Sequence, residues 1–156
     1  MSTIERSWSL ENAEEVAARN PYTFYKPSKE VVAMLTAGNQ VKLIFTFESE
    51  DPDAPGVERM WVTIDSISGS AFVGTLDNEP RHIVDLKLGD RIEFDDRHIV
   101  DTDLIDPVAS IVDRYAARCF ATRRVLHDGC RVGYCYRVQP QGDEDSGWRI
   151  IAGDEP

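Results

Sequence analysis

The chain has 156 residues, of which 42% are hydrophobic and 29% charged, a size and composition that suit one compact domain or two small ones. It lacks an apolar run of about 18 residues, which excludes a membrane-spanning helix, and its first residues lack the apolar segment of a signal peptide. Three cysteines without a paired framework predict reduced thiols and a cytoplasmic location.

The net charge of −11 is confined to the first two thirds of the chain. Residues 1–106 hold 10 basic and 21 acidic residues, whereas residues 107–156 hold 7 of each. Repulsion between these carboxylates and the phosphates of a nucleic acid therefore argues against nucleic-acid binding. A basic protein is the partner whose charge complements this acidity. The alternative left open is that the acidity only keeps the protein soluble.

Two helices are predicted near the N-terminus, over residues 9–19 and 28–37, with Ser9 and Ser28 as their N-caps. The second is expected to end at Gly38, which can adopt a positive φ. Residues 41–47 then alternate between apolar and mostly polar side chains, which predicts a strand with one strongly apolar face. That face consists of Val41, Leu43, Phe45 and Phe47.

Four further strands are predicted over residues 59–67, 71–76, 92–94 and 98–100. Between the first two strands of the chain lies an acidic loop, residues 48–56, which is either a solvated connection or a negative finger that contacts a basic partner. Its acids are Glu48, Glu50, Asp51 and Asp53. A second acidic cluster, opposed only by Arg97, consists of Asp95, Asp96, Asp101, Asp103 and Asp106.

Four segments of this region resemble an uncharacterised bacterial domain family. They are Met60-Trp61-Val62, residues 72–80, Leu88-Gly89-Asp90 and Ile99-Val100-Asp101. The resemblance covers about residues 40–101, although Thr102 stands where relatives carry a tryptophan. It implies a curled antiparallel sheet and no established activity.

A third helix is predicted to open at Asp106-Pro107 and to end near Arg118, because apolar residues follow at helical spacing. A short strand over residues 119–121 follows, and Thr122 is expected to cap a single helical turn over residues 123–127.

The C-terminal stretch predicts a β-hairpin, with strands over residues 131–138 and 147–152 and a polar turn between them. Its first strand alternates like a half-buried strand. In the turn, Asp145 is expected to bond backbone amides, Gly147 to supply a positive φ and Trp148 to fill the core, while Asp143 and Glu144 project outward.

The string VGYxYRxxP, followed by DSGWRxxAGDE, resembles a bacterial family of predicted immunity proteins of polymorphic toxin systems (immunity protein family thirty-three). The resemblance covers roughly the last third of the chain. It implies a small α+β module, a partner-binding role and no catalytic residues. The motif residues are Arg137, Asp145, Ser146, Gly147, Trp148, Gly153, Asp154 and Glu155.

No metal site or cofactor is predicted. The three cysteines and three histidines lack the spacing of zinc ligands, phosphate-binding glycine loops are absent, and the thiols are expected to act as small buried apolar groups. A Cys–His nucleophile pair is left open, since residues distant in sequence can meet in the fold. The residues weighed are Cys119, Cys130, Cys135, His82, His98 and His127.

These patterns predict an α+β fold in which a curled antiparallel sheet has two or three flanking helices and is followed by a C-terminal β-hairpin module. We expect an acidic domain over residues 1–106, and packed on it an immunity-protein-like module over residues 107–156.

The predicted function is that of a non-catalytic immunity protein. It would neutralise a basic partner, such as a secreted toxin domain, by charge-complementary blocking. The acids that would contact this partner are those of the two acidic clusters and, in addition, Asp143 and Glu144. The alternative is a small enzyme or small-ligand binder that uses a groove between the sheet and the C-terminal module. A deep pocket lined by an acid or histidine with a shifted pKa would favour that alternative. The oligomeric state is left open.

Overall fold

The computed structural model describes residues 6–155, which divide into two compact units, the first ending at Ala109 and the second beginning at Ser110. The first unit contains a six-stranded sheet and the second a three-stranded sheet. Four α-helices occur among the described residues, and none of them is long and apolar enough to cross a membrane. The predicted α+β class is confirmed.

The first unit is built on one antiparallel sheet. β2 pairs with β3 along one edge, and along its other edge it pairs with β1 and β6 in succession, so that the sheet nearly closes. A turn of 3-10 helix, Asp96–His98, connects the last two strands. The elements are β1 (Trp8–Leu10), α1 (Ala13–Arg19), α2 (Lys29–Ala33), β2 (Gln40–Phe47), β3 (Val57–Ser68), β4 (Ala71–Leu76), β5 (Arg91–Asp95) and β6 (Ile99–Thr102).

The main core of this unit lies on one face of the sheet, to which alternate side chains of its strands point. The predicted apolar face of β2 is confirmed, because Val41, Leu43, Phe45 and Phe47 are all buried. Ile44, on the opposite face of β2, is buried as well. It joins a second cluster with Ala13 of α1 and Val100 of β6. The main cluster also contains Met60, Val62, Ile64, Phe72, Leu76, Ile92, Phe94 and Ile99.

Gly74 allows β3 and β4 to approach closely. The ladder between these strands shifts register between Ile64 and Ser66. A Cβ atom on Gly74 would lie 2.5 Å from both the Thr63 carbonyl oxygen and Val62 Cγ1. Any other residue would therefore push β4 away from β3 and disturb the core beneath.

The two N-terminal helices are shorter than predicted. The first begins at Ala13, because Asn12 caps it with hydrogen bonds from the backbone N–H groups of Glu14 and Glu15, and residues 8–10 pair with β2 instead. The second does begin after Ser28, whose side chain accepts the N–H of Val31, but it ends at Ala33. Past that end, Leu35 is buried in the main cluster.

The second unit is a three-stranded sheet with β9 in the centre. β9 runs antiparallel to β8, which confirms the predicted hairpin, and parallel to β7. The predicted start of the third helix is wrong. Ser110 caps α3, and the preceding Val108 N–H is bonded to the carboxylate of Asp106. The elements are α3 (Ile111–Tyr115), β7 (Arg118–Ala121), α4 (Arg123–Leu126), β8 (Tyr134–Arg137) and β9 (Asp145–Ile151).

Burial differs sharply from the prediction in this second unit. Over residues 110–155, no large hydrophobic side chain is buried. Trp148, expected in a core, is 44% exposed, and Tyr134 of the supposedly half-buried strand is 62% exposed. Helices of four and five residues are too short to cover a sheet, so its aromatic side chains remain accessible.

Candidate functional site: partner-binding surfaces

The second predicted acidic cluster follows a continuous stretch of chain, from the end of β5 through the 3-10 turn and β6. We call it the acidic segment. Asp103 is exposed, whereas the other four acids are half-buried. The members are Asp95, Asp96, Asp101, Asp103 and Asp106.

Arg97 is not the only cation that opposes the acidic segment, and that expectation is wrong. Arg97 Nε does lie 2.9 Å from Asp95 Oδ1, but Lys42 Nζ also lies 3.4 Å from Asp101 Oδ2. β6 pairs with β2, and this pairing brings Lys42 beside Asp101, far from it in sequence. Part of the negative charge is therefore compensated within the fold.

Asp106 has a structural role within this segment. Its carboxylate accepts hydrogen bonds from Tyr25 Oη, from the backbone N–H and Oγ of Ser28, and from the Val108 N–H, at 2.6 to 2.9 Å. Burial by itself would raise the pKa of Asp106, but these hydrogen bonds lower it to about 2. The carboxylate thus ties the N-terminus of α2 to the end of the first unit.

His98 closes the 3-10 turn inside the acidic segment. Its Nδ1 accepts the backbone N–H of Asp95 at 3.0 Å. Burial lowers the pKa of His98, although the charge of Asp95 acts in the opposite direction. The same Nδ1 lies 3.0 Å from Asp95 Oδ1, so both the backbone and the carboxylate of Asp95 face this nitrogen.

The acidic loop differs from the acidic segment. Its four acids, Glu48, Glu50, Asp51 and Asp53, are exposed, and within the described residues none of them forms an ion pair. The loop is ordered locally, since Asp51 Oδ1 accepts the N–H of Asp53 at 2.9 Å. Its charge is therefore uncompensated at short range.

The C-terminal turn is organised by Asp145. Its two carboxylate oxygens form a bidentate ion pair with Arg149 at 2.8 and 2.9 Å and also accept the N–H groups of Gln141 and Gly147. The bonds from the Arg149 guanidinium hold the pKa of Asp145 well below its usual range. This is the local role that the sequence predicts for Asp145. The neighbouring Asp143 and Glu144 are exposed.

The end of the motif is likewise engaged in local contacts. Glu155 accepts hydrogen bonds from Thr122 Oγ1 and from the N–H groups of Ala152 and Gly153, and these bonds lower its pKa to about 2. Asp154 pairs with Arg124 at 2.7 Å. Because Thr122 and Arg124 flank the start of α4, these two acids fix that helix to the end of β9.

Exposed aromatic side chains form a surface on the three-stranded sheet, where the sequence predicts a half-buried strand. Register places Phe120, Arg149 and Tyr136 side by side across the sheet, and Tyr134 follows on the same face. The guanidinium of Arg149 lies 4.5 Å from the Phe120 ring centroid. We call this the aromatic face. A signal for it exists in the sequence, since all seven cations of residues 107–156 are arginines and aromatic residues lie among them.

The cysteines are free, and two of them, Cys119 and Cys135, are exposed, which corrects the expectation of buried thiols. Among residues 6–155, no three His, Cys, Asp or Glu side chains are grouped so that they could hold a metal ion.

Comparison with known families matches both parts of the chain. Residues 5–111 match the family model described as "Uncharacterized protein conserved in bacteria (DUF2314)". The chain belongs to this family. Residues 119–156 match the model of the "Immunity protein Imm33 domain". No curated protein and no solved structure matches the chain.

Both resemblances read from the sequence are therefore confirmed. The DUF2314 match is wider than residues 40–101 and takes in both N-terminal helices. The Imm33 match begins within β7, so it covers the whole of α4, β8 and β9 and nearly all of the three-stranded sheet. The Imm33 match supports an immunity-protein role and suggests a non-enzymatic one.

Proposed function

We propose that this DUF2314 protein is an immunity protein that neutralises a cognate toxin by binding and blocking it, without catalysing a reaction. The observation that carries the proposal is the coincidence of the Imm33 match with the three-stranded sheet. That sheet exposes aromatic side chains, which soluble domains usually bury or use for binding.

The composition of the sheet supports a protein partner. Interfaces are enriched in Tyr, Trp, Phe and Arg, and the residues that contribute most to binding are drawn from the same types. Phe120, Tyr134 and Tyr136 are 57%, 62% and 40% exposed. On the opposite face, Arg137 lies 5.9 Å from the ring centroid of Trp148. Each face thus offers rigid apolar area beside a hydrogen-bond donor.

We propose further that the partner is basic and that the acids attract it. The net charge of −11 raises the local concentration of a cationic protein. The acidic loop is the strongest candidate for this role, since no ion pair compensates its four carboxylates. Asp143 and Glu144, in the turn between β8 and β9, are exposed as well, although Arg118 Nη1 lies 3.7 Å from Glu144 Oε2. The three free cysteines agree with a cytoplasmic location, which is part of the same proposal.

Growth assays with a candidate toxin domain from the same locus test the proposal. Expression of the toxin domain alone should stop growth, and co-expression of the full chain should restore it. The variant Phe120→Ala/Tyr134→Ala/Tyr136→Ala should lose protection and bind at least about 100-fold more weakly, since each aromatic anchor contributes roughly 1–2 kcal/mol or more.

A matched control removes exposed apolar groups outside the Imm33 region. Val84 and Leu88 are 87% and 55% exposed. The variant Val84→Ala/Leu88→Ala should keep both protection and affinity. Failure of the wild-type chain to restore growth would contradict the immunity function, whereas equal effects of the two variants would contradict the aromatic face as its binding surface.

A second function, the binding of a small ligand, is favoured by a separate observation. The first unit contains a cavity of about 470 Å³, within the range of small-molecule sites. The groove that the sequence predicts between the sheet and the C-terminal module is a different site and remains a prediction.

A further inference from the structure

The cavity of the first unit opens between the N-terminal helices and the turn that joins β3 to β4. Its volume is about 470 Å³. One wall is apolar and includes Val32, Leu35 and Phe72. Leu35 and Phe72 belong to the main core, so this wall is rigid and a flat apolar group can lie on it.

Lys26 supplies the polar side of the cavity. Its side chain is half-buried, and Nζ donates a hydrogen bond to the carbonyl oxygen of Asp96 at 2.9 Å. An ammonium group has three donors, so two remain. Among residues 6–155, no carboxylate oxygen forms an ion pair with Nζ. Burial lowers the pKa of Lys26, because the cation has lost part of its hydration, and the charges of Glu14 and Asp96 oppose this effect only in part.

The charges around the cavity favour a ligand with a single negative charge. Lys26 and Lys29 line the cavity together with Glu14 and Asp96, so the four formal charges cancel. A monoanion therefore meets no net repulsion locally and finds free ammonium donors. A polyanion is opposed by the net charge of −11.

We propose that this cavity binds a small organic monoanion with an apolar body. Its carboxylate, or a group of similar chemistry, accepts hydrogen bonds from Lys26 Nζ, and its body lies on Val32, Leu35 and Phe72. The site goes beyond the proposed immunity function and does not depend on it, since every residue involved belongs to the first unit.

Three probes of one shape test the proposal: 2-naphthoate, 2-naphthamide and 2-naphthylmethylamine, which are anionic, neutral and cationic. Each is titrated into the full chain while amide chemical shifts are followed by NMR. Naphthoate should bind roughly tenfold more tightly than naphthamide, about 1.4 kcal/mol, because an ionised acceptor forms the stronger hydrogen bond with the ammonium group. The largest shifts should fall on residues 26–35 and 67–72.

The variant Lys26→Met keeps the aliphatic stem and should abolish the preference for naphthoate over naphthamide. Lys29→Met removes an equal charge at the exposed edge of the cavity and should change the preference less than threefold. Should Lys26→Met fail to fold, Lys26→Gln replaces it, and the wild-type comparison of the three probes still decides. Equal affinities for the three probes, shifts confined to the aromatic face, or no binding at several millimolar naphthoate would each overturn the proposal.

Discussion

Asp103 and Asp106 are acids of one short segment, yet the structure gives them different roles. Asp106 accepts four hydrogen bonds, whereas Asp103 accepts one weak contact, 3.4 Å from Asn39 Nδ2. By sequence, both belong to one acidic cluster that is expected to bind a partner. Contacts of this kind determine which acids can be removed without damage to the fold.

We therefore expect Asp106→Ala to lower the free energy of unfolding by about 1–3 kcal/mol, the effect of removing hydrogen bonds to a charged acceptor. Asp103→Ala should change it by less than about 0.5 kcal/mol, as exposed sites usually do. Urea unfolding of the two variants measures the difference. Equal unfolding midpoints would show that the Asp106 contacts contribute little.

The pKa of Asp106 adds a pH dependence to this prediction. Its folded value of about 2 lies below the ordinary value of 3.8, so the unfolded state binds the proton first as the pH falls. The stabilisation is present above about pH 4 and is lost as the pH falls towards 2. The difference in stability between wild type and Asp106→Ala should shrink over that interval. A difference that is constant from pH 5 to pH 2 would contradict the assignment.

Trp148 is the residue at which burial and sequence pattern disagree most. A fully buried tryptophan replaced by alanine costs about 3–5 kcal/mol. Because the ring is 44% exposed, we expect Trp148→Ala to cost less than about 1.5 kcal/mol. Urea unfolding checks the stability, and affinity for the toxin domain checks the surface. A loss of several kcal/mol would mean that the ring is buried in solution.

At the scale of elements, β9 is the centre of the second unit. It pairs with β8 on one side and with β7 on the other, so its entry into the sheet sets both registers. Gly147 lies at that entry with a φ of +80°, and a Cβ there would lie 2.4 Å from the Val138 carbonyl oxygen. Both the positive φ and the close approach require glycine.

Gly147→Ala should therefore destabilise the β8–β9 pairing by about 2 kcal/mol or more. Gly142→Ala in the same turn is the matched control, because Gly142 lacks a positive φ and a Cβ there would contact nothing within 4 Å. Hydrogen exchange at the Val138 amide, which donates to the Gly147 carbonyl, reports the effect directly. Unchanged protection in Gly147→Ala would contradict the strain argument.

At the scale of the whole molecule, the proposed function gives the net charge and the aromatic face different roles in partner binding. Long-range attraction through the net charge raises the association rate, while the affinity comes from the contacts formed in the complex. The acidic loop suits attraction because its acids are unpaired, and the acidic segment suits it less because Arg97 and Lys42 compensate part of its charge.

The association rate with the toxin domain should fall steeply with salt, since screening at physiological ionic strength limits the attraction to about 8 Å. Replacing Glu48, Glu50, Asp51 and Asp53 by their amides should slow association more than replacing four exposed acids spread over the chain, Glu30, Asp65, Glu79 and Asp128. Surface-plasmon kinetics at two ionic strengths measure both effects. Rates indifferent to salt and to the loop substitutions would contradict attraction by the acidic loop.

The sequence by itself determined β2 to β6 of the first unit, the C-terminal hairpin and both family resemblances, whereas it placed most of β1 in a helix. Alternation of Val41, Leu43, Phe45 and Phe47 specifies a buried face, because side chains on a strand point to opposite sides at every step. Glycine and proline residues at the ends of the strands likewise specified the turns. These are local properties that a few neighbouring residues decide.

Only the tertiary structure decided how these parts are used. The pairing of β6 with β2 brought Lys42 to Asp101, and the position of Ser28 and Tyr25 made Asp106 structural. Alternation also marked Tyr134 and Tyr136 as one side of β8, and Trp148 as part of one side of β9. It could not tell a face covered by a second layer from a face open to solvent, because burial depends on which distant residues pack against it.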